Sequence, residues 1–180
     1  MGDRFQIIVD REVSQDEALY LAEKVREWLV ARRVIEPELT DGELNSPGYR
    51  PGPEYTTAVE TPDPELFRML ANELVIIVGR TFFWTPYTNL TCRACGARFD
   101  AYSDEWVDAV GAWHQGDDSA AFACPECGMP ERVTDWSGES TSGFGHLGFK
   151  FWNWPPLSAG FVREMTELLG HRTVLVRGEI

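Results

Sequence analysis

The chain has 180 residues, a net charge of −13 at pH 7 and 43% hydrophobic residues, which is enough for one domain with an insertion. This composition excludes a largely disordered chain, and the acidic balance argues against direct nucleic-acid binding, which needs basic surfaces. No stretch reaches the roughly 18–20 apolar residues of a membrane span, and the N-terminal residues lack the apolar run of a signal peptide. We therefore expect a cytoplasmic protein with no membrane partner.

The N-terminal residues predict a strand followed by a helix. Residues 5–9 form a β-branched apolar run, which is typical of a buried strand. Ser14 and Glu17 have the spacing of a capping box, and apolar residues then recur every three or four positions. This pattern predicts a helix over residues 14–33.

Residues 36–62 are predicted to form an acidic, proline-rich loop. Six of the 11 prolines lie between Glu36 and Glu65, and proline fixes φ and removes a hydrogen-bond donor. Two interpretations stay open for this segment. It is either a solvated linker or an arm that binds a partner, with Tyr49 and Tyr55 as contact residues.

After this loop the pattern becomes regular again. Asp63 and Pro64 are typical of a helix N-terminus, and they predict a short helix to about residue 72 with Leu66, Met69 and Leu70 on its inner face. An aliphatic run over residues 74–78 predicts a central strand that ends at Gly79. Residues 81–84 predict a second strand.

All four cysteines lie in two Cys-x-x-Cys-Gly sequences, 92–96 and 124–128. Two residues between the sulfurs let a turn present both thiolates to one metal ion, and the glycine suits a positive φ. The two sequences resemble the paired knuckles of zinc ribbons. That resemblance covers residues 92–128 alone and implies one structural zinc ion held by Cys92, Cys95, Cys124 and Cys127, with no open coordination position.

Other uses of the cysteines fit less well. Two disulfides need an oxidising compartment, and a redox Cys-x-x-Cys occurs once per site. A four-thiolate iron site shares the same ligands and stays open as an alternative. The separation of the two pairs, residues 96–123, exceeds the usual spacing of about 15–20 residues, so we expect extra structure inside the loop.

That extra structure is a predicted helix carrying Trp106, Val107, Val110 and Trp113. Residues 132–136 predict a strand that closes the ribbon, and residues 137–146 a Gly/Ser connector. The connector overlaps a G-x-G-x-x-G sequence, residues 143–148. A dinucleotide-binding turn needs a helix directly after it, whereas the following residues alternate like a strand, so a connector is the better interpretation.

The C-terminal residues predict strand, helix and strand over 149–154, 158–169 and 173–178. The predicted fold is α+β, a small ferredoxin-like α/β sandwich with an inserted zinc ribbon. Its core comprises residues 1–35, 63–90 and 147–180, and the ribbon with its short helix occupies 91–136. Along strand 149–154, Phe149 and Phe151 should face one side and Lys150, Trp152 and Trp154 the other.

Catalytic motifs are absent from the sequence, and we assign no catalytic residue. His146, among glycines and aromatic residues, is the histidine to test as an acid or base. The leading hypothesis is a non-enzymatic protein-binding module with a structural zinc, an inhibitor or immunity-type protein for a basic partner. One alternative is a small-molecule-binding or enzymatic domain with a pocket formed by His146, Trp152 and Trp154. Another is an accessory subunit of transcription or translation machinery that contacts proteins and not nucleic acid.

Overall fold

The computed structural model describes residues 2–42, 46–85, 88–138 and 142–180. Within these ranges it is a mixed α/β protein with a large antiparallel sheet, two small two-stranded sheets and four helices. The helices are α1 (Gln15–Ala31), α2 (Pro64–Met69), α3 (Asp104–His114) and α4 (Ala159–Leu169). The strands are β1 (Arg4–Asp10), β2 (Ile35–Thr40), β3 (Gly48–Pro51), β4 (Glu73–Phe83), β5 (Asn89–Thr91), β6 (Arg98–Asp100), β7 (Ala121–Ala123), β8 (Pro130–Arg132), β9 (Gly143–Trp152) and β10 (Thr173–Glu179).

The main sheet has the strand order β10-β1-β9-β4-β3-β2, and its neighbouring strands are antiparallel. Helices α1 and α4 pack on one face and bury the main hydrophobic core with the inward residues of β1, β4 and β9. Trp28 of α1 stacks on Phe161 of α4 at 5.9 Å, and Lys24 Nζ donates a hydrogen bond to the Leu168 carbonyl. The two helices therefore hold each other as well as the sheet.

The three longest helices begin at serine caps. Ser14, Ser103 and Ser158 each have extended backbone, and each Oγ accepts the N–H of the residue three positions later. Helix α4 ends at Gly170, whose φ of 75° is left-handed. These ends confirm the predicted helices, although α1 stops at Ala31. In α2 the predicted inner face is wrong for Met69, which is 78% exposed, whereas Phe67 is 8% exposed.

The strands differ from the prediction at three places. The segment predicted as a proline-rich loop contains β2, β3 and a 3-10 turn over Tyr55–Ala58, and Pro37 is tolerated because β2 is the edge of the sheet. Gly79 does not end a strand, since β4 continues through it with an irregular register between Val78 and Thr81. Strand β9 begins at Gly143, inside the predicted connector, while residues 139–141 lie outside the described ranges.

Strand β9 alternates as predicted up to Trp152. Phe149 and Phe151 belong to the helix-covered core, and Trp152 belongs to a smaller cluster on the opposite face. Trp154 was predicted on that opposite face and lies instead in the helix-covered core. Asn153, with a φ of 55°, turns the chain between the two tryptophans and so breaks the alternation.

The cysteine-containing residues form a unit between β4 and β9. The two strands pair up to Phe83 opposite Gly143, so the chain leaves and re-enters the main sheet at neighbouring positions. The unit comprises the hairpins β5–β6 and β7–β8 with α3 between them, around a separate hydrophobic cluster. Its predicted strand over residues 132–136 is wrong, because Val133–Asp135 form a 3-10 turn that buries Val133.

The unit is attached to the main sheet through aromatic side chains. Phe82 of β4 and Phe144 of β9 stack at 4.3 Å and pack against Trp106 of α3. Trp113 meets Phe144 edge-on at 4.9 Å. The last residues of β4 and the first residues of β9 therefore form the surface against which the cysteine-containing unit packs.

None of the described helices has the length and apolarity needed to cross a bilayer.

Candidate metal centre

The four cysteines come together in space as the sequence predicts. The four sulfur atoms all lie within 4.8 Å of one another. Cys92 Sγ is 3.7 Å from Cys127 Sγ, and Cys95 Sγ is 3.8 Å from Cys124 Sγ. A tetrahedral ion with metal–sulfur bonds of about 2.3 Å places its sulfurs about 3.8 Å apart. The cluster is therefore compatible with one metal ion bound by four thiolates.

Each pair of cysteines lies on a turn of the same construction. In the first turn the Gly96 N–H donates to the Cys92 carbonyl at 2.9 Å, and the Cys92 N–H donates to the Ala97 carbonyl at 2.9 Å. The second turn repeats these bonds, from Gly128 N–H to the Cys124 carbonyl at 2.8 Å and from Cys124 N–H to the Met129 carbonyl at 2.9 Å. Both glycines have a φ of 74°, which explains why glycine follows each second cysteine.

The protein supports the sulfurs unequally. Cys92 and Cys124 are 3% and 1% exposed and belong to the hydrophobic cluster of the unit, whereas Cys95 and Cys127 are exposed. Phe122, two residues before Cys124, packs edge-on against Trp106 and Trp136 at 5.5 and 5.3 Å. An ion at this position would therefore connect the aromatic cluster to the surface.

An ion pair also joins the two turns outside the sulfurs. Arg93 Nη1, in the first turn, lies 2.9 Å from Glu131 Oε1 on β8. The same guanidinium donates to the carbonyl of Asp135. These contacts join the first cysteine turn to β8 and to the 3-10 turn that follows it.

The thiols influence one another's ionisation. The backbone N–H of Cys95 and burial act in opposite directions on Cys92, and hydrogen bonding prevails to lower the pKa of that thiol to about 7. For Cys95 the Ala97 N–H lowers the pKa, but the partial loss of water around the sulfur and the neighbouring thiols raise it to about 12. Four adjacent thiols cannot all ionise without a compensating charge. A cation supplies that charge, so binding should release protons.

The other predicted site residues do not gather around this centre. Tyr49, in β3, packs against the main core, and Tyr55 stacks on Phe67 at 4.2 Å. Trp152 meets Phe5 edge-on at 5.3 Å, while Trp154 contacts Tyr55 and Phe67. Each of these rings takes part in packing within the protein, and Tyr49 and Tyr55 do not form a projecting arm.

The histidines have structural surroundings. His146 Nδ1 lies 3.2 Å from the Val13 carbonyl, and its ring is 6.5 Å from that of Trp113. His171 Nδ1 lies 2.8 Å from Oδ2 of Asp10, a fully buried carboxylate that also accepts the N–H groups of Glu12 and Val13. His171 thus connects the end of α4 to the end of β1. Three cavities among the described residues are lined by residues other than His146.

Two surface features lack a signal in the sequence. The first, which we term the acidic aromatic face, consists of the neighbouring rings of Trp84 and Tyr102 and the exposed residues Asp104, Val107 and Asp108 of α3, which begins two residues after Tyr102. Trp84 and Tyr102 are 48% and 49% exposed with ring centroids 6.2 Å apart, and Val107 is 56% exposed. The second is a cavity of about 630 Å³ at the end of the main sheet where β1 begins. Exposure and concavity depend on the folded chain, so sequence periodicity does not indicate either feature.

The chain matches no protein-family model, no curated protein and no solved structure. The assignment of the site therefore depends on its own geometry.

Proposed function

We propose that the four cysteines hold one structural zinc ion in a zinc-ribbon-type site. The sulfur separations and the paired turns support this assignment, because four thiolates fill the tetrahedral coordination that zinc prefers. A filled coordination shell leaves no position for a substrate or an activated water. Elemental analysis of protein purified without added metal should find about one zinc per chain. A red protein that contains iron with thiolate-to-metal absorption would assign the alternative metal.

We propose further that the core is a ferredoxin-like α/β sandwich carrying this unit as an insertion. Supporting this, the four strands β1, β4, β9 and β10 with helices α1 and α4 follow the order β-α-β-β-α-β along the chain. In the sheet these four strands are adjacent in the order β10-β1-β9-β4. Strands β2 and β3 then extend the sheet beyond β4.

For the protein as a whole we propose a non-enzymatic, protein-binding function directed at a basic partner. The acidic aromatic face carries this proposal. Exposed tryptophan and tyrosine are the side chains that most often dominate binding energy at interfaces. Asp104 and Asp108 lie one turn apart on α3 with Val107 between them, and both carboxylates are exposed. A partner with an apolar side chain surrounded by lysine or arginine complements such a surface.

Among the residues that the structure describes, no salt bridge involves Asp104, Glu105 or Asp108 of α3. Arg93 pairs with Glu131, Arg132 pairs with Asp135, and Arg80 of β4 pairs with Asp118. These pairs leave the α3 carboxylates Asp104, Glu105 and Asp108 to the solvent. Uncompensated like charges attract an oppositely charged partner over long range and repel phosphate. An inhibitor or immunity-type protein that covers a basic enzyme surface in the cytoplasm would use this arrangement.

The rival hypotheses receive less support from the geometry. An accessory role in transcription or translation needs protein contacts only, and the same face would provide them. An enzyme built around His146 gains no support from the three cavities described, because that histidine lines none of them. The acidic surface gives no reason to expect binding to bare nucleic acid.

The experiment is a charge reversal with a matched control. Asp104→Lys with Asp108→Lys reverses two exposed helical carboxylates on the face, and Asp16→Lys with Glu27→Lys reverses two on α1. The probe is a synthetic amphipathic helix of lysine, leucine and tryptophan, titrated by calorimetry at low and high salt. The α3 variant and Trp84→Ala should each weaken binding by about tenfold or more, and the α1 variant by less than about twofold. Equal weakening by the α1 and α3 variants would refute the assignment of the face.

A further inference from the structure

We propose that the cavity at the end of the main sheet binds a small monocarboxylate with an aromatic or branched apolar body. The cavity has a volume of about 630 Å³ and lies where β1 begins and β10 ends. Strand β9 runs from Gly143, beside the metal-binding unit, to Trp152, opposite Phe5 at the cavity. The site therefore lies at the other end of the sheet from the acidic aromatic face, and the proposal is independent of the proposed function.

The size and the walls of the cavity suit a small organic ligand. Sites for such ligands commonly measure about 300–1,000 Å³ and have mostly apolar walls with a few polar groups. Here the apolar walls come from Phe67, Leu70, Trp154, Pro155 and Pro156. Phe67 and Trp154 meet edge-on at 5.7 Å, so their rings form a corner against which a flat or branched apolar body can pack.

The walls are fixed before any ligand binds. Gln6 Nε2 donates hydrogen bonds to the carbonyls of Trp154 at 3.3 Å and Pro155 at 3.0 Å, and its Oε1 accepts the Leu157 N–H at 2.9 Å. Asn153 donates to the Ala71 carbonyl at 2.9 Å and so joins the segment after β9 to the segment after α2. Because the wall is already ordered, less conformational entropy is lost when a ligand binds.

The charged groups at the mouth select the ligand's charge. Arg177 lines the cavity, is exposed, and takes part in no salt bridge with the residues that the structure describes. Arg4, also at the mouth, is 3.7 Å from Glu179. A guanidinium binds a carboxylate through two parallel hydrogen bonds. Glu60 and Asp63 also line the cavity, and their charge disfavours a second anionic group on the ligand.

Three probes with one apolar body test the charge requirement: indole-3-acetate, indole-3-acetamide and tryptamine carry a carboxylate, a neutral amide and an ammonium. Calorimetry on the full chain should show that the carboxylate binds about tenfold or more tightly than either of the others. Tighter binding of tryptamine would assign the site to organic cations through Glu60 and overturn the proposal. Absence of binding by all three probes would overturn it as well.

Variants test the location. Arg177→Gln should weaken binding of indole-3-acetate by about tenfold, whereas Arg163→Gln, an exposed α4 arginine outside the cavity, should leave it unchanged. Thr61→Trp places a large side chain on the exposed rim without altering the buried wall, and it should abolish binding. Binding that survives Thr61→Trp, or that responds equally to Arg163→Gln and Arg177→Gln, would contradict this site.

Discussion

Trp113 should be a main contributor to the attachment of the metal-binding unit to the sheet. Its side chain is 4% exposed and contacts Phe144 of β9. The Arg80 guanidinium lies 4.2 Å from the centre of its ring, and Arg80 Nε also donates to the Trp113 carbonyl. Trp113→Ala therefore removes a buried ring and leaves the mostly buried Arg80 cation without its aromatic contact.

The expected loss can be stated as a free energy of unfolding. Truncation of a buried tryptophan costs about 3–5 kcal/mol, and loss of a cation–π contact costs about 0.5–1 kcal/mol at a partly exposed site. We therefore expect a loss of about 3.5–6 kcal/mol, a large part of the 5–15 kcal/mol that is typical of a domain. The variant should be partly unfolded at 37 °C or below.

The control removes another tryptophan from the same region. Trp84 is 48% exposed, so Trp84→Ala should cost less than about 1 kcal/mol. Urea unfolding followed by far-UV circular dichroism compares the two variants without depending on tryptophan fluorescence. If Trp113→Ala and Trp84→Ala unfold at the same urea concentration, the packing between unit and sheet does not carry the stability that we assign to it.

Three further predictions concern the metal, a glycine and a lysine. Removal of the metal by a chelator should abolish the near-ultraviolet dichroism of Trp106 and Trp136 while most far-ultraviolet signal persists, and an unchanged near-ultraviolet spectrum would contradict a structural ion. Gly148→Ala should cost about 1–3 kcal/mol because its Cβ would lie 2.6 Å from the Phe83 ring, whereas Gly111→Ala on α3 should stabilise by up to about 1 kcal/mol. Burial lowers the pKa of Lys150 to about 8 from 10.5. Between these pH values the unfolded chain binds more protons than the folded one, so the free energy of unfolding should rise as the pH increases from 8 to 10.5. Lys150→Met should remove this rise. The ring faces of Phe5 and Trp152 favour the charged amine, and an NMR pKa at or above 10.5 would show that they outweigh burial.

Local physical chemistry accounts for the elements that the sequence predicts well. The serine caps of α1, α3 and α4 satisfy N–H groups within their own first turn, so the signal lies within four residues. The cysteine turns are equally local, because each pair and its glycine form one hydrogen-bonded loop. The closeness of the two pairs was predictable because one ion needs four ligands.

The features that the sequence did not predict depend on distant residues. Gly79 and Gly148 look like strand ends in the sequence, yet both lie within strands, and at Gly148 the absence of a side chain accommodates the ring of Phe83. Trp154 lies on the other face of the sheet from the predicted one because Asn153 has a left-handed backbone conformation. An alternating sequence pattern does not predict such a turn. The cavity combines the beginning of β1, the end of β10 and two intervening segments, so no single stretch of sequence contains it.

Because Phe83 pairs with Gly143, the metal-binding unit could be replaced by another connection without breaking the main sheet. A tight turn between these two residues would turn β4 and β9 into an ordinary hairpin and keep every other pairing of the main sheet. Such a shortened protein needs polar replacements where Phe82 and Phe144 would become uncovered, and its Arg80 would lose Trp113 and Asp118 as partners. Evolution or a protein engineer could thus add, remove or replace the whole unit in a single step, without changing the strand order of the main sheet.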